Sequence, residues 1–174
     1  MRKNNTTISF SDFIAIAEGK QVGTIYHFTK QQSLIDMIES DFNLKSNQEY
    51  ISFTRNYNMI DYESYQNDLS FDWKYFGNNR GIRIAIDGDK LSNKFKIEPF
   101  MDIANNVTRD KGEAEERVKT KPIKIGCCIK QIDVIGTDKA YNHFKPIIND
   151  YCSKSNNNIK VQHVKKLKDL KKVK

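Results

Sequence analysis

The chain has 174 residues and a net charge of +7, with 38% hydrophobic and 29% charged residues. That is enough chain for one domain with a buried core, and ten Phe, eight Tyr and one Trp argue against wholesale disorder. No run approaches the roughly 18 apolar residues of a membrane span, so no membrane partner is expected.

No apolar stretch follows the charges of Met1-Arg-Lys, so no signal peptide is expected. The three cysteines, Cys127, Cys128 and Cys152, lack a framework spacing and suit a reducing, cytoplasmic compartment. For a chain this rich in Asn and Lys, that is a bacterial cytoplasm or, for a phage-encoded protein, the host cytoplasm or virion. The charge is uneven. Residues 153–174 hold eight Lys against the single acid Asp169, which accounts for the whole excess. The expected organisation is therefore a domain over 1–152 and a basic tail over 153–174. Lys160–Lys174 would favour polyanions and add little stability.

In chain order, Ser11 and Gly19 bracket a short expected helix at about 12–18. Gly23–Thr29 reads as a strand. Thr29 and Gln32 then form a capping box for a helix at about 30–39. His27 lies near the carboxyl end of that strand. In Tyr50–Asn56, Ile51 and Phe53 take one face and Ser52 and Thr54 the other. Two hydroxyls beside Arg55 suit a polar, anionic ligand. Residues 57–80 form a long aromatic segment of the kind used for lids and binding loops, and its rings, Tyr57 first, can stack on a planar ligand. Gly81–Asp87 alternates cleanly as a strand, followed by a turn at Gly88-Asp89. Phe95–Ile97 reads as a strand stopped by Pro99.

Lys111-Gly-Glu-Ala-Glu-Glu-Arg-Val118 gathers three carboxylates and an arginine within five positions. As a strand it sets Glu113, Glu115 and Arg117 on one face and Ala114, Glu116 and Val118 on the other. A row of like charges is unfavourable unless something opposes it, which fits either a solvated edge or a site that uses a carboxylate. Glu116, on the apolar face, would need a partner such as Arg83. Strands are expected at Ile123–Cys128 and Lys130–Ile135. Adjacent cysteines on a strand point apart, which argues against a shared zinc site. A helix capped by Asp138 follows over about 139–150, with Tyr141, Phe144 and Ile148 as its stripe. Asn156–Asn158 is linker-like, and 159–174 suggests a short strand and a basic helix. There is no Gly-rich phosphate loop.

The order of three motifs resembles the ADP-ribosyltransferase superfamily. Tyr26-His-Phe-Thr29 resembles its first motif, Ile51-Ser-Phe-Thr-Arg55 its second, and Glu113-Ala-Glu-Glu-Arg-Val118 its third. Ala114-Glu115…Val118, followed by an Ile-rich strand, is also similar to the DNA thymidine ADP-ribosyltransferase toxins. The resemblance spans about residues 22–136. It departs from the family in two places. His27 stands where the arginine-binding branch has Arg, and the second motif reads Ser-Phe-Thr rather than Ser-Thr-Ser. The resemblance implies an α+β fold with a small split, mixed or antiparallel sheet, flanking helices and NAD as substrate. It implies Glu115 as catalytic residue and Glu113 as its helper toward the acceptor. His27 and Thr29 of the first motif would bind NAD, with His27 on the adenosine ribose. Ser52 and Thr54 would line the nicotinamide pocket, Arg55 would pair the pyrophosphate and Tyr57 would stack on the ring. The acceptor would be a protein or a nucleic acid. The competing reading is a non-catalytic nucleic-acid-binding or virion-associated protein of the same fold.

Overall fold

A computed structural model describes residues 23–45, 50–55, 57, 80–100, 115–119 and 122–174. The expected helix at 12–18, Glu113 and most of the aromatic segment lie outside these residues. Nine strands are described: β1 (Thr24–Thr29), β2 (Asn43–Leu44), β3 (Ile51–Thr54), β4 (Gly81–Asp87), β5 (Ile97–Phe100), β6 (Glu115–Val118), β7 (Ile123–Lys124), β8 (Ile129–Ile135) and β9 (Lys160–Val164). Three α-helices accompany them: α1 (Gln31–Glu39), α2 (Gly88–Ser92) and α3 (Asp138–Ser155). The main sheet runs β5-β6-β3-β1-β4-β8-β9, and β2 and β7 form a separate pair. All of these pairings are antiparallel except β8–β9. The fold is α+β with a split, mixed sheet, as expected.

The main core lies on one face of the sheet. Ile25, Ile51, Phe53, Ile82, Ile84, Ile86, Ile132 and Val134 meet Leu34 of α1, Leu91 of α2 and Phe144 and Ile148 of α3 there. β4 is central, and six of its seven residues are buried. The opposite face carries a smaller cluster of Tyr26, Phe28, Ala85, Ile135, Val164 and Leu170.

Several local expectations change for identifiable reasons. Thr29 does not cap α1. It stays in the ladder opposite Ile82, and Lys30 takes the N-cap position without a side-chain capping bond. Gly88-Asp89 opens α2 rather than a turn, because the Asp87 side chain accepts from Lys90 N and caps it. Pro99 does not stop a strand but lies inside β5. β5 is an edge strand, where a missing N–H is tolerated. Only Ile123–Lys124 of the strand expected over Ile123–Cys128 forms. Gly126–Cys128 make a 3-10 turn instead. Thr137 rather than Asp138 caps α3, accepting from Ala140 N.

The largest change is at the carboxyl end. α3 continues through Ser155, past the expected boundary at 152, and ends on Asn156 in the left-handed conformation. Asn156 is thus a helix terminus, and the segment after it leads directly into β9. β9 pairs with β8 in parallel, and α3 supplies the crossover that such a pair requires. His163 stacks on Tyr141 of α3 at 5.0 Å. Beyond β9 the chain lies back on the sheet. Val164 and Leu170 are buried, and Leu167 and Val173 pack beside them. Val173 N donates to the Tyr26 hydroxyl at 3.1 Å. Residues 153–174 are therefore part of the domain, and the basic helix expected there is only a 3-10 turn at Leu167–Asp169. A chain ending at Tyr151 cuts α3 and uncovers the edge of β8. It is expected to lose the cooperative thermal transition of the full chain in circular dichroism. An unchanged transition would show that β9 contributes nothing to the fold.

Candidate functional site

Register across the sheet decides which candidate residues can meet, because directly opposed residues share a face. Thr54 is opposite Glu115 on one side and Tyr26 on the other. Tyr26 is opposite Ala85, and Ala85 opposite Gln131. One row thus crosses five strands: Glu115, Thr54, Tyr26, Ala85, Gln131. Two residues along each strand, and so on the same face, Ser52 is opposite Arg117 and Phe28 opposite Arg83. Arg83 is in turn opposite Asp133. Glu116 is opposite Phe53, on the face of the main core. Backbone register thus sets Glu115, and not Glu116, level with the row of Ser52 and Thr54 on one face of the sheet, while the side chains of Glu115, Glu116 and Arg117 lie outside what the structure describes.

His27 falls on the other face. It follows the parity of Ile25 on β1 and stands opposite Ile84, and its ring meets the edge of Phe53 at 6.0 Å. Its Nδ1 lies 3.4 Å from the Ser52 carbonyl. Burial pushes its pKa below the ordinary 6.5, only partly offset by that carbonyl. Thr29 shares the His27 face by alternation. The sheet thus splits the expected NAD-binding set, with Ser52 and Thr54 on the side of Glu115 and His27 and Thr29 on the side of the helices.

A depressed histidine pKa has a sign. The folded state holds the neutral ring, so this contribution is complete above 6.5 and is lost as pH falls through the folded value. Stability of the wild type is expected to drop between about pH 7 and 5 more than that of His27→Phe, which keeps a ring against Phe53. Parallel urea titrations at the two pH values measure the difference. Equal drops would mean that His27 is not held neutral.

Arg83 organises the Glu115 side. It is buried, pairs with buried Asp133 at 2.7 Å and stands 4.9 Å over the Tyr26 ring. Gln131 Nε2 donates to the other Asp133 oxygen at 2.6 Å. Burial raises the Asp133 pKa, against the pull of Arg83 and Gln131. Arg83 has donors to spare. Nη1 donates to the Tyr57 carbonyl at 2.7 Å and Nη2 to the Lys171 carbonyl at 2.9 Å. The Glu116 side chain lies outside what the structure describes, and Arg83, the partner expected for it, is engaged by Asp133, Tyr57 and Lys171. Arg83 fixes the backbone of Tyr57, which is 37% exposed, just after the Ser52–Arg55 motif. Arg55 itself is half-buried at the end of β3. Sequence reasoning missed this positioning role, since the contacts to Asp133 and Lys171 span 50 and 88 residues.

The described residues hold no group of three His, Cys, Asp or Glu able to bind a metal, and no described helix is long and apolar enough to cross a membrane.

No protein-family model and no curated protein matches the sequence. Among solved structures, the chain is similar to DarT of Thermus sp. 2.9 in complex with carba-NAD+. The TM-score is 0.55 and the identity 11%, over 85% of this chain and 98% of that one. At that identity the likeness is one of fold, and the α+β architecture described above is an ADP-ribosyltransferase-like fold.

Proposed function

We propose that this protein is an NAD-dependent ADP-ribosyltransferase acting on a protein or nucleic-acid acceptor, with Glu115 as its catalytic carboxylate. The observation that supports it most is the register row of Glu115, Thr54 and Tyr26, within a fold similar to one solved with an NAD+ analogue. Breaking the nicotinamide–ribose bond leaves positive charge on the ribose, and a carboxylate at the ribose hydroxyl steadies it. Ser52 and Thr54, two residues apart beside Glu115, place nicotinamide. Arg55 pairs the pyrophosphate through its planar guanidinium. Tyr57, its backbone tied to Arg83, stacks on the ring. Glu113 orients the acceptor. His27 and Thr29 take the adenosine ribose where the dinucleotide passes the end of β1. His27→Ala separates that role from packing. A weaker NAD affinity at unchanged melting temperature assigns His27 to the ligand, and the reverse assigns it to the core.

The test is nicotinamide release from NAD by the full chain, alone and with DNA, RNA or lysate protein, followed by the fate of labelled ADP-ribose. Release with label on a macromolecule supports the transferase. No release under any condition overturns it.

One feature favours a second reading, a nucleic-acid-binding protein without turnover. Val164, Leu167, Leu170 and Val173 recur every third residue against the sheet, while Lys165, Lys166, Lys168, Lys171, Lys172 and Lys174 are exposed. An ordered strap with its cations outward suits a phosphate backbone. DNA or RNA binding that weakens steeply with salt, without nicotinamide release, is its signature.

A further inference from the structure

A cleft lies on the helix side of the sheet, between α3 and the Gly126–Cys128 turn. Its volume is about 610 Å³, and its lining includes Asp41, Lys94, Lys124, Cys127, Tyr151 and Lys154. The 3-10 turn of Gly126–Cys128 forms one wall and is pressed against α3. A Cβ on Gly126 would come within 2.5 Å of the Tyr151 hydroxyl. The turn therefore sits hard against α3 at the residue before Cys127. Lys94 Nζ lies 2.9 Å from Cys127 Sγ, and Cys128 Sγ lies 3.7 Å away.

We propose that Cys127 is a thiol-modification site that forms mixed disulfides with small disulfides bearing carboxylates. The chemistry balances without a further reagent. The Cys127 thiolate attacks one sulfur of the small disulfide, a protein–ligand disulfide forms, the ligand's own S–S bond breaks, and the other half leaves as a thiolate.

Two properties of the cleft support this. The first is reactivity. Burial pushes the Cys127 thiol up, but the Lys94 hydrogen bond, the contact with Cys128 and the charges of Lys94 and Lys90 outweigh it, leaving the pKa below the ordinary thiol value. The thiolate is the attacking form. The second is charge. Lys94, Lys124 and Lys154 stand against one carboxylate of the lining, Asp41, and the thiolate, with Lys154 also paired to Asp150 outside it at 2.7 Å. Asp41 is engaged by the Tyr151 hydroxyl at 2.8 Å and approached by Lys124 at 3.6 Å. Forming the mixed disulfide removes the thiolate's charge, so the cleft becomes more positive as the adduct forms and holds the adduct's carboxylates. Cys128 is a poor resolving thiol. Its thiol is buried, and burial, the largest cause that raises its pKa, stays in place after Cys127 is capped. The adduct is therefore expected to persist on Cys127 rather than collapse into a Cys127–Cys128 disulfide.

The full chain is incubated with oxidised glutathione or with cystamine, a disulfide bearing amines, and adducts are mapped by peptide mass spectrometry over time. Half-buried Cys152 is the internal comparison. Cys127 is expected to take up glutathione roughly tenfold faster than Cys152. It is also expected to prefer oxidised glutathione over cystamine by a ratio that collapses when the chain is unfolded in urea. Lys94→Met, at an exposed position, should slow Cys127 roughly tenfold with an unchanged circular dichroism spectrum. Equal rates at Cys127 and Cys152, a preference for cystamine, or loss of two hydrogens in place of an adduct would each overturn the proposal.

Discussion

Glu115→Gln is expected to abolish nicotinamide release while leaving the fold and NAD binding in place. The amide keeps the size and most of the hydrogen-bonding capacity of the carboxylate. It cannot supply the negative charge that opposes the charge on the ribose as the glycosidic bond breaks. Removing one preorganised electrostatic group of this kind costs about 10²–10³ in turnover, or roughly 3–4 kcal/mol of transition-state stabilisation. The matched control is Glu116→Gln, one residue along the same strand. Glu116 stands opposite Phe53, on the face of the main core, so its substitution should move the melting temperature more than the rate. Glu113→Gln should lower transfer to the acceptor more than hydrolysis of NAD. Measured together, the three variants separate chemistry from packing. Turnover surviving in Glu115→Gln but not in Glu116→Gln would mean that β6 is out of the register on which the assignment depends.

Parity along the acidic strand was legible in the sequence, because alternation needs no knowledge of neighbours. Which strand lies beside it was not. That Glu115 is opposite Thr54, and Thr54 opposite Tyr26, depends on a pairing order that joins β6 to β3 and β3 to β1. The same missing information put His27 beside Ser52 and Thr54 in the sequence reading, although it stands with Phe53 on the other face. Local signals failed where tertiary pairing outweighed them. Thr29 has the residues of a cap but is held in the ladder with Ile82, and Pro99 sits on an edge strand, where a missing N–H is tolerated. At the carboxyl end, eight lysines obscured a simpler pattern. Val164, Leu167, Leu170 and Val173 are evenly spaced, and each packs on the sheet. Net charge describes the outer surface of that segment and says nothing about its inner one.

Breaking the Arg83–Asp133 pair is expected to be the most damaging change to stability. Both side chains are almost completely buried, at 1% and 0% exposure, so removing either strands the other without water or a counter-charge. Arg83→Met and Asp133→Leu should each cost about 3–5 kcal/mol. The double substitution should cost clearly less than the sum, because it leaves no charge stranded, although the carbonyls of Tyr57 and Lys171 still lose their donors. Acid separates the two single variants. The folded pKa of Asp133 is raised, chiefly by burial. A raised carboxyl pKa gives stability that is complete below the unfolded value of about 3.9 and is lost as pH rises through the folded value. Without Arg83 the shift grows, so the deficit of Arg83→Met should shrink as pH falls toward the ordinary Asp range. Asp133→Leu should show no such relief, because a guanidinium does not titrate there. Urea denaturation of the wild type and three variants at two pH values provides the full comparison. Additive costs, or identical acid responses in the two single variants, would show that Arg83 and Asp133 act independently. In that case Arg83 would be holding the backbones of Tyr57 and Lys171 through its own burial alone.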